Sequence, residues 1–241
     1  MPDANPISSE TLEVLRKIPT QTLIDGLWVM GWPMSFIHGA KPLQAGQHMA
    51  GRAVTLRFVP HRPDLAADKP KGDQSAEYVA IELCGPEEVL VIDAMGWEYS
   101  SIGGDIKFLR MMQLKAGGLV TDGAARDSNT LKGYGFPVYA ANTTAKQGPA
   151  EFWPWHVNDA IQCGKVLVRP GDAVVGDDDG AVVVPAAAVD EVIRIAHERE
   201  EVEEVIKTQL EIEQCSPGKY YPFNDLTWKL FEEKTGKKRT G

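Results

Sequence analysis

Apolar residues in this chain fall first at helical and then at strand spacing, and the two periods alternate almost to the C-terminus. Leu12, Val14 and Leu15 follow two serines and predict a first helix within residues 1–18. Thr20 reads as the N-cap of a second helix carrying Ile24 and Leu27. Residues 50–58 (AGRAVTLRF) alternate as a strand, residues 76–83 fit a short helix, and EVLVID at 88–93 is a buried strand. A helix begins near Asp105 and runs to Leu114, where Gly117 and Gly118 stop it before a strand at 119–121. Another strand is expected at 136–141. From Gly164 onward KVLVR, PGDAVVG and DDDGAVVVP read as three strands joined by Pro-Gly and Asp-Gly turns. Pro185 opens a long charged helix to about Gln214, and residues 215–241 read as an arm, frayed or packed on a neighbouring subunit. There is no repeat and no linker. The expectation is one domain, 1–241, of α/β or α+β class.

Charge narrows the choice of partners. The formal net charge of the 241 residues is -9, which argues against nucleic acid and against anionic membrane surfaces. An anionic ligand would need a local positive site. The longest apolar run, 181–189, is broken by Pro185 and is too short to span a bilayer. The opening MPDANPISSE has neither a basic nor an apolar signal region, so a cytoplasmic location is expected. Cys84, Cys163 and Cys215 form no C-x-x-C pair and read as small core residues in a reducing compartment. Residues 60–73, polar and holding three prolines, read as a long loop.

The most informative stretch is 102–127, IGGDIKFLRMMQLKAGGLVTDGAARD. Asp105 follows two glycines where a helix starts, and its carboxylate is expected to cap that helix. Gly104 and the amides of Ile106 and Lys107 would then form a small anion site, suited to a substrate carboxylate. One helix and one strand later, Arg126 and Asp127 stand in a loop beyond a strand, where α/β sheets bind ligands. The two loops are expected to meet in one crevice. Asp127 suits Mg²⁺ or Mn²⁺, Asp105 suits a metal-bound water, and Arg126 suits an oxygen that gains negative charge. A 2-oxo acid chelates such a cation through its carboxylate and keto oxygen. Each residue also has an ordinary reading: Asp105 as a helix cap, Arg126–Asp127 as an exposed turn pair.

Asp105, twenty residues, then Arg126-Asp127 is the motif of the class II pyruvate aldolases, and the stretch resembles that family. The family includes 4-hydroxy-4-methyl-2-oxoglutarate/4-carboxy-4-hydroxy-2-oxoadipate aldolase and shares a superfamily with RraA, a regulator of ribonuclease E activity. FPVYA and PGDAVVGDDDGAVVVP match in kind, and the resemblance covers roughly residues 12–209. It implies a layered α/β/β/α sandwich related to the swivelling phosphohistidine domain, with a C-terminal helix and arm. It implies Mg²⁺ (or Mn²⁺) on Asp127, Arg126 on the keto oxygen, and Asp105 on a metal-bound water. It further implies a homotrimer or homohexamer with active sites between subunits. There a Glu of the neighbour's C-terminal helix, Glu204 or else Glu203 in the run that also holds Glu200 and Glu201, completes the water shell. The activity implied is retro-aldol cleavage of a 4-hydroxy-2-oxo acid to release pyruvate, with oxaloacetate decarboxylation on the side. The alternative is an RraA-like regulator acting on an RNA-degrading enzyme.

Departures from the pattern fall in loop 60–73, longer than the family's, and past Gln209. They leave the distal half of the substrate open. Lys107, Lys115, Lys132 and Lys165 lack the apolar setting of a Schiff-base lysine. No G-x-G-x-x-G follows a strand, so a nucleotide-like cofactor has no support. Among the histidines only His61, in the long loop, is a candidate substrate contact. Trp153 and Trp155 read as packing, and the 177–180 DDDG as a turn with capping carboxylates. Arg57 is a candidate partner for a second substrate carboxylate.

Overall fold

The structure, a computed structural model, describes residues 6–239. Helix α1 (Ser9–Leu15) is capped by Ser8 and buries Leu12 and Leu15. Helix α2 (Thr20–Val29) corrects one expectation: Pro19 is its N-cap and Thr20 its first residue. The Thr20 amide and hydroxyl both donate to the Asp177 carboxylate at 2.9 Å, so a side chain from the other end of the chain satisfies the start of this helix.

The sheet is built from β1 (Lys41–Pro42), β2 (Met49–Pro60), β3 (Glu88–Asp93), β4 (Ser101–Gly103), β5 (Gly118–Ala125), β6 (Val138–Thr143), β7 (Phe152–Val157), β10 (Ala173–Asp177) and β11 (Gly180–Val184). Its order is β1-β6-β5-β3-β2-β10-β11, with β4 beside β5 and β7 beside β2. Strands β8 (Ile161–Cys163) and β9 (Val166–Val168) form a separate ribbon. Helices α3 (Ala76–Glu82), α4 (Asp105–Leu114) and α5 (Ser128–Lys132) lie among the parallel strands β2, β3, β5 and β6 in chain order.

Alternation along the strands defines the layers. Leu90 and Ile92 of β3 pack with Phe108 and Met111 of α4, while Val89 and Val91 face the opposite way, into a core shared with Ala53, Val120 and Tyr139. Val174, Ala181 and Val183 of β10 and β11 close that core from the far side. Their neighbours Val175, Val182 and Val184 face Leu12, Leu23 and Val192 of the outer helices. The order through the molecule is therefore helices, sheet, core, sheet, helices. The expected α/β/β/α layering holds, with the two β layers being parts of one curled sheet. Residues 36–42 nearly close it, since Phe36 bridges to Val182 of β11 and Lys41 pairs with Ala140 of β6. No helix among the described residues is long and apolar enough to cross a membrane.

The expected helix from Ala186 begins with a 3₁₀ turn, Ala186–Ala188, and continues as α6 (Val189–Glu213). The arm is the larger correction. It contains helix α7 (Asp225–Thr235), started by a capping box between Asn224 and Thr227. Leu230 and Phe231 of α7 pack on Val202 and Ile206 of α6, in the same chain. The corner turns on Glu213, which accepts hydrogen bonds from Lys219, Gln209, Cys215 and Tyr220 at 2.6–3.2 Å. These donors, Lys219 first, hold its carboxyl down at about 2. A carboxylate depressed in this way stabilises the folded corner above the ordinary carboxylate range, and the effect disappears as pH falls toward that value. Hydrogen exchange checks this: Glu213→Gln weakens protection of α7 amides at neutral pH, and the difference from the native protein shrinks toward zero as pH approaches 2.

Candidate functional site

Strand β4 is three residues long, yet it positions the site. It pairs in parallel with β5, Gly103 opposite Ala125, so the loops leaving the two strands emerge side by side. The Arg126 amide donates to the Gly103 carbonyl at 2.9 Å, and the Asp105 amide donates to Asp127 Oδ2 at 3.3 Å. Asp105, Arg126 and Asp127 therefore come together, as the two-loop reading expects.

Gly104 permits this approach. A Cβ at this position would stand 2.1 Å from Asp127 Oδ2 and 3.2 Å from Arg126 Cβ. Asp127 has left-handed backbone angles, φ 56° and ψ 37°. Its carbonyl accepts from the amides of Thr130 and Leu131 and starts α5, while its side chain points back to α4. Asp is among the few non-glycine residues that adopt this conformation cheaply.

Several expectations change in detail. Gly104, not Asp105, is the N-cap of α4. Asp105 is the first helical residue, and its Oδ1 accepts from the Ile106 amide at 2.7 Å. The Ile106 amide is thus engaged internally, which removes it from the expected anion site, and its side chain is 81% exposed. The Lys107 amide makes no hydrogen bond among the described residues and remains for a ligand. The Lys107 ammonium pairs instead with Glu77 of α3 at 2.7 Å. Glu203 is half-buried and Glu204 exposed on α6. That helix packs on α2, in the outer layer opposite to α4, so neither Glu joins Asp105 and Asp127 within one chain. Of their neighbours, Glu201 is held by Lys237 of the arm, and burial raises the Glu200 carboxyl.

A cleft of about 450 Å³ opens beside Arg126 and Asp127, with Thr143, Thr144 and Ala145 on its other wall. Those residues continue β6, and the Thr144 amide donates to Ala125 O at 3.0 Å. Tyr134 donates to the Asp105 carbonyl at 3.2 Å and steadies the first turn of α4. Sequence reasoning missed Tyr134 and the Thr143–Thr144 wall. The carboxyl end of β6, next to β5 in a parallel sheet, was the available signal for the wall.

The donor set can be tested against a hard divalent cation. Asp127 Oδ1 and Asp105 Oδ2 take no hydrogen bond among the described residues. No group of three or more His, Cys, Asp or Glu converges anywhere among them. Such a site offers one direct carboxylate, a second nearby for an ordered water, and room for the remaining ligands. That fits Mg²⁺, which keeps much of its hydration, better than a cation needing a full protein cage. The other sequence candidates lie elsewhere. Arg57 is paired in register with Asp93 on β3, and His61 stands edge-on to Trp153 at 4.5 Å.

Comparison with known proteins gives concordant results. A family model described as RraA-like, Aldolase/RraA, matches residues 20–183. A protein of Halalkalibacterium halodurans named "Putative 4-hydroxy-4-methyl-2-oxoglutarate aldolase" is 32% identical over 185 residues, 77% of this chain and 81% of that one. Among solved structures, Streptomyces coelicolor RraAS2, described as an unusual member of the RNase ES inhibitor RraA protein family, superposes with a TM-score of 0.74. It is 31% identical and covers 83% of this chain and 97% of its own. An uncharacterised protein of Pseudomonas syringae pv. tomato shares the fold at a TM-score of 0.72 and 22% identity, covering 90% of this chain and 98% of its own.

The Gly104 contact yields a local test. Gly104→Ala displaces the Asp127 carboxylate from the first turn of α4 while leaving both cores intact. In an amide NMR spectrum, shifts confined to residues 103–107 and 125–131 are the expected outcome, and shifts spread over the sheet would contradict it.

Proposed function

Since the chain belongs to the RraA-like (Aldolase/RraA) family, we propose that it is a divalent-metal-dependent lyase that cleaves a 4-hydroxy-2-oxo acid by retro-aldol chemistry and releases pyruvate. The observation that carries this reading is the junction of Asp105 with Asp127 beside Arg126, at the carboxyl ends of β4 and β5. The relative named as an aldolase supports it.

In this reading Asp127 would hold Mg²⁺ or Mn²⁺, and Asp105 stands beside it to orient water. A bound ion would supply Lewis-acid polarisation of the 2-oxo group. The protein's own groups do the rest. The Lys107 amide receives the substrate carboxylate at the start of α4. Arg126, half-buried and permanently charged, donates to the keto oxygen, where negative charge develops as the carbon–carbon bond breaks. Asp105 takes up, through water, the proton lost by the 4-hydroxyl group and returns it to the methylene carbon of the enolate, which leaves as pyruvate. Oxaloacetate decarboxylation generates the same pyruvate enolate and uses the same donor. The outward-facing Glu204, with Glu203 beside it, serves a neighbouring subunit's site in a trimer or hexamer.

A rival reading has an observation of its own, the 31% identity to the Streptomyces protein described as an RNase ES inhibitor relative. A regulator working through its surface has no use for two carboxylates and an arginine gathered around a glycine that admits no side chain. The lyase reading uses all four.

Two measurements test it. Excess chelator abolishes pyruvate release from 4-hydroxy-2-oxo acids and added Mg²⁺ or Mn²⁺ restores it; full activity in chelator, with inactivation by borohydride plus substrate, would move the chemistry to a Schiff base. Arg126→Ala lowers turnover by about 100- to 1,000-fold, the usual consequence of losing one donor to a developing oxyanion. Arg126→Lys recovers part of it, since an ammonium lacks the planar fork. Steady-state kinetics on a 4-hydroxy-2-oxo acid and on oxaloacetate, with circular dichroism as the folding control, reads both reactions. Near-normal turnover in Arg126→Ala would favour the regulator.

A further inference from the structure

Strand β5 changes neighbours partway along. β3 pairs with it from Gly118 to Thr121, and β4 takes over at Ala124. Against β6, on the other edge, the register shifts across the same interval. The residues at the changeover are Asp122 and Gly123. Both lie inside the informative stretch 102–127, and the proposed chemistry uses neither.

Where a strand peels away from a sheet, its amides lose their ladder partners and need other acceptors. Asp122, 3% exposed, supplies them to the chain that leaves β3. Its Oδ1 accepts from the Ala94 amide at 2.7 Å and its Oδ2 from the Gly96 amide at 3.0 Å. Oδ2 also accepts from the Gly164 amide at 3.1 Å and the Gln162 side chain at 3.3 Å, both in the β8–β9 ribbon. Asp93, 6% exposed, accepts from the intervening Met95 amide at 2.9 Å. Three successive amides of the departing chain thus end on two buried carboxylates. Hydrogen bonds to a charged acceptor are roughly twice as strong as neutral ones.

Two further observations mark the same place. A Cβ at Gly123 would stand 2.6 Å from Ala94 Cβ and 3.2 Å from Ile102 Cγ2. The chain leaving β3 and the chain entering β4 therefore both rest on this glycine. Met95 also has a φ of 59°, followed by Gly96 at 67°. A methionine in the left-handed region is strained and persists only where its surroundings over-determine it. This held turn opens the connection 94–100, which ends in β4, and the pairing of β4 with β5 sets Asp105 against Asp127.

We infer that Asp122 is a positioning residue for the active site: with Gly123 it seats the β3–β4 connection, and that seat fixes β4 and the approach of Asp105 to Asp127. The inference rests on the lyase reading for its effect on turnover. Its effect on the junction does not depend on that reading.

Two unlike substitutions should have one consequence. Asp122→Asn sets an amide –NH₂ against backbone donors, and Gly123→Ala pushes Ala94 and Ile102 off β5. Asp172→Asn is the control. Asp172 is also a buried carboxylate, accepting from the Arg169 and Ala186 amides at 2.9 and 3.0 Å, but it serves the turn between β9 and β10. In amide NMR spectra both site variants should shift residues 103–107 and 125–131, and the control should leave them in place. In steady-state assays well below the unfolding temperature, both site variants should turn over a 4-hydroxy-2-oxo acid roughly 10- to 100-fold more slowly. That is the size expected when reacting groups are displaced by about an ångström. The control should keep native turnover whatever stability it loses, whereas a merely structural role for Asp122 would make the two Asn variants behave alike. Unmoved 103–107 amides in the folded site variants, native turnover in them, or an equal loss in the control overturns the inference. Should neither site variant fold, hydrogen exchange on the native protein decides. The Ala94, Met95 and Gly96 amides should then be as protected as those of β5, and fast exchange overturns the seat. If the native protein cleaves no 4-hydroxy-2-oxo acid, the lyase reading falls and the amide shifts alone decide the role of Asp122.

Discussion

Strand β2 is buried on both faces from Met49 to Leu56, and much of the architecture answers that constraint. Along its length Val54, Leu56 and Phe58 face one core, while Met49 and Ala53 face the core shared between the two sheet layers. One edge is occupied by β3 from Arg52 to Arg57. The other is divided, with β10 on the first half and β7 on the second. A strand with two neighbours in succession on one edge is where a single sheet becomes two layers. On the β3 side the approach is close enough that a Cβ at Gly51 would meet the Glu87 carbonyl at 2.8 Å. Its N-terminal end is tied by Arg52, which pairs with Glu87 and Glu88 and donates to the Ile7 carbonyl.

Once β2, β3, β5 and β6 lie parallel, their carboxyl ends share an edge, and the polar loops that leave the sheet collect there. The candidate site is a product of this edge. Its precision comes from a smaller source, the pairing of Gly103 with Ala125, which brings two loops within hydrogen-bonding distance. Two carboxylates brought this close repel one another unless a cation intervenes. Arg126 supplies one positive charge at the junction, and in the proposed lyase reading a divalent ion on Asp127 would complement it.

The readable parts of the fold were those with a clean period. EVLVID is apolar throughout because its strand is buried on both faces, and the helix from Asp105 shows its buried Phe108 and Met111 at helical spacing. Strand β7 was hidden by its composition. FWPWHV holds a proline and two tryptophans, and its pairing with β2 is broken by a register shift after Arg57. Helix α7 carries a legible signal, Asn224 and Thr227 at capping-box spacing before an amphipathic run. In the site, Asp105 at a helix start and Arg126–Asp127 beyond a strand were visible, but their contact was not. It depends on β4, three residues that no periodicity can mark. The partner of the Ile106 amide was equally out of reach, because the choice between a ligand and Asp105's own carboxylate is decided by side-chain geometry.

The left-handed backbone at Asp127 bears on how such a site is gained and lost in evolution. Glycine, asparagine and aspartate are the residues that occupy this conformation with least strain. From an aspartate codon, both asparagine and glycine are single-base changes. Either removes the negative charge while leaving the turn and the start of α5 undisturbed. A charge at this position can therefore be lost at small cost in stability, and an inherited scaffold with this fold carries no guarantee of an inherited reaction. For a family whose members bear the names of both aldolases and ribonuclease inhibitors, the residue at this one turn is more informative than the similarity of everything around it.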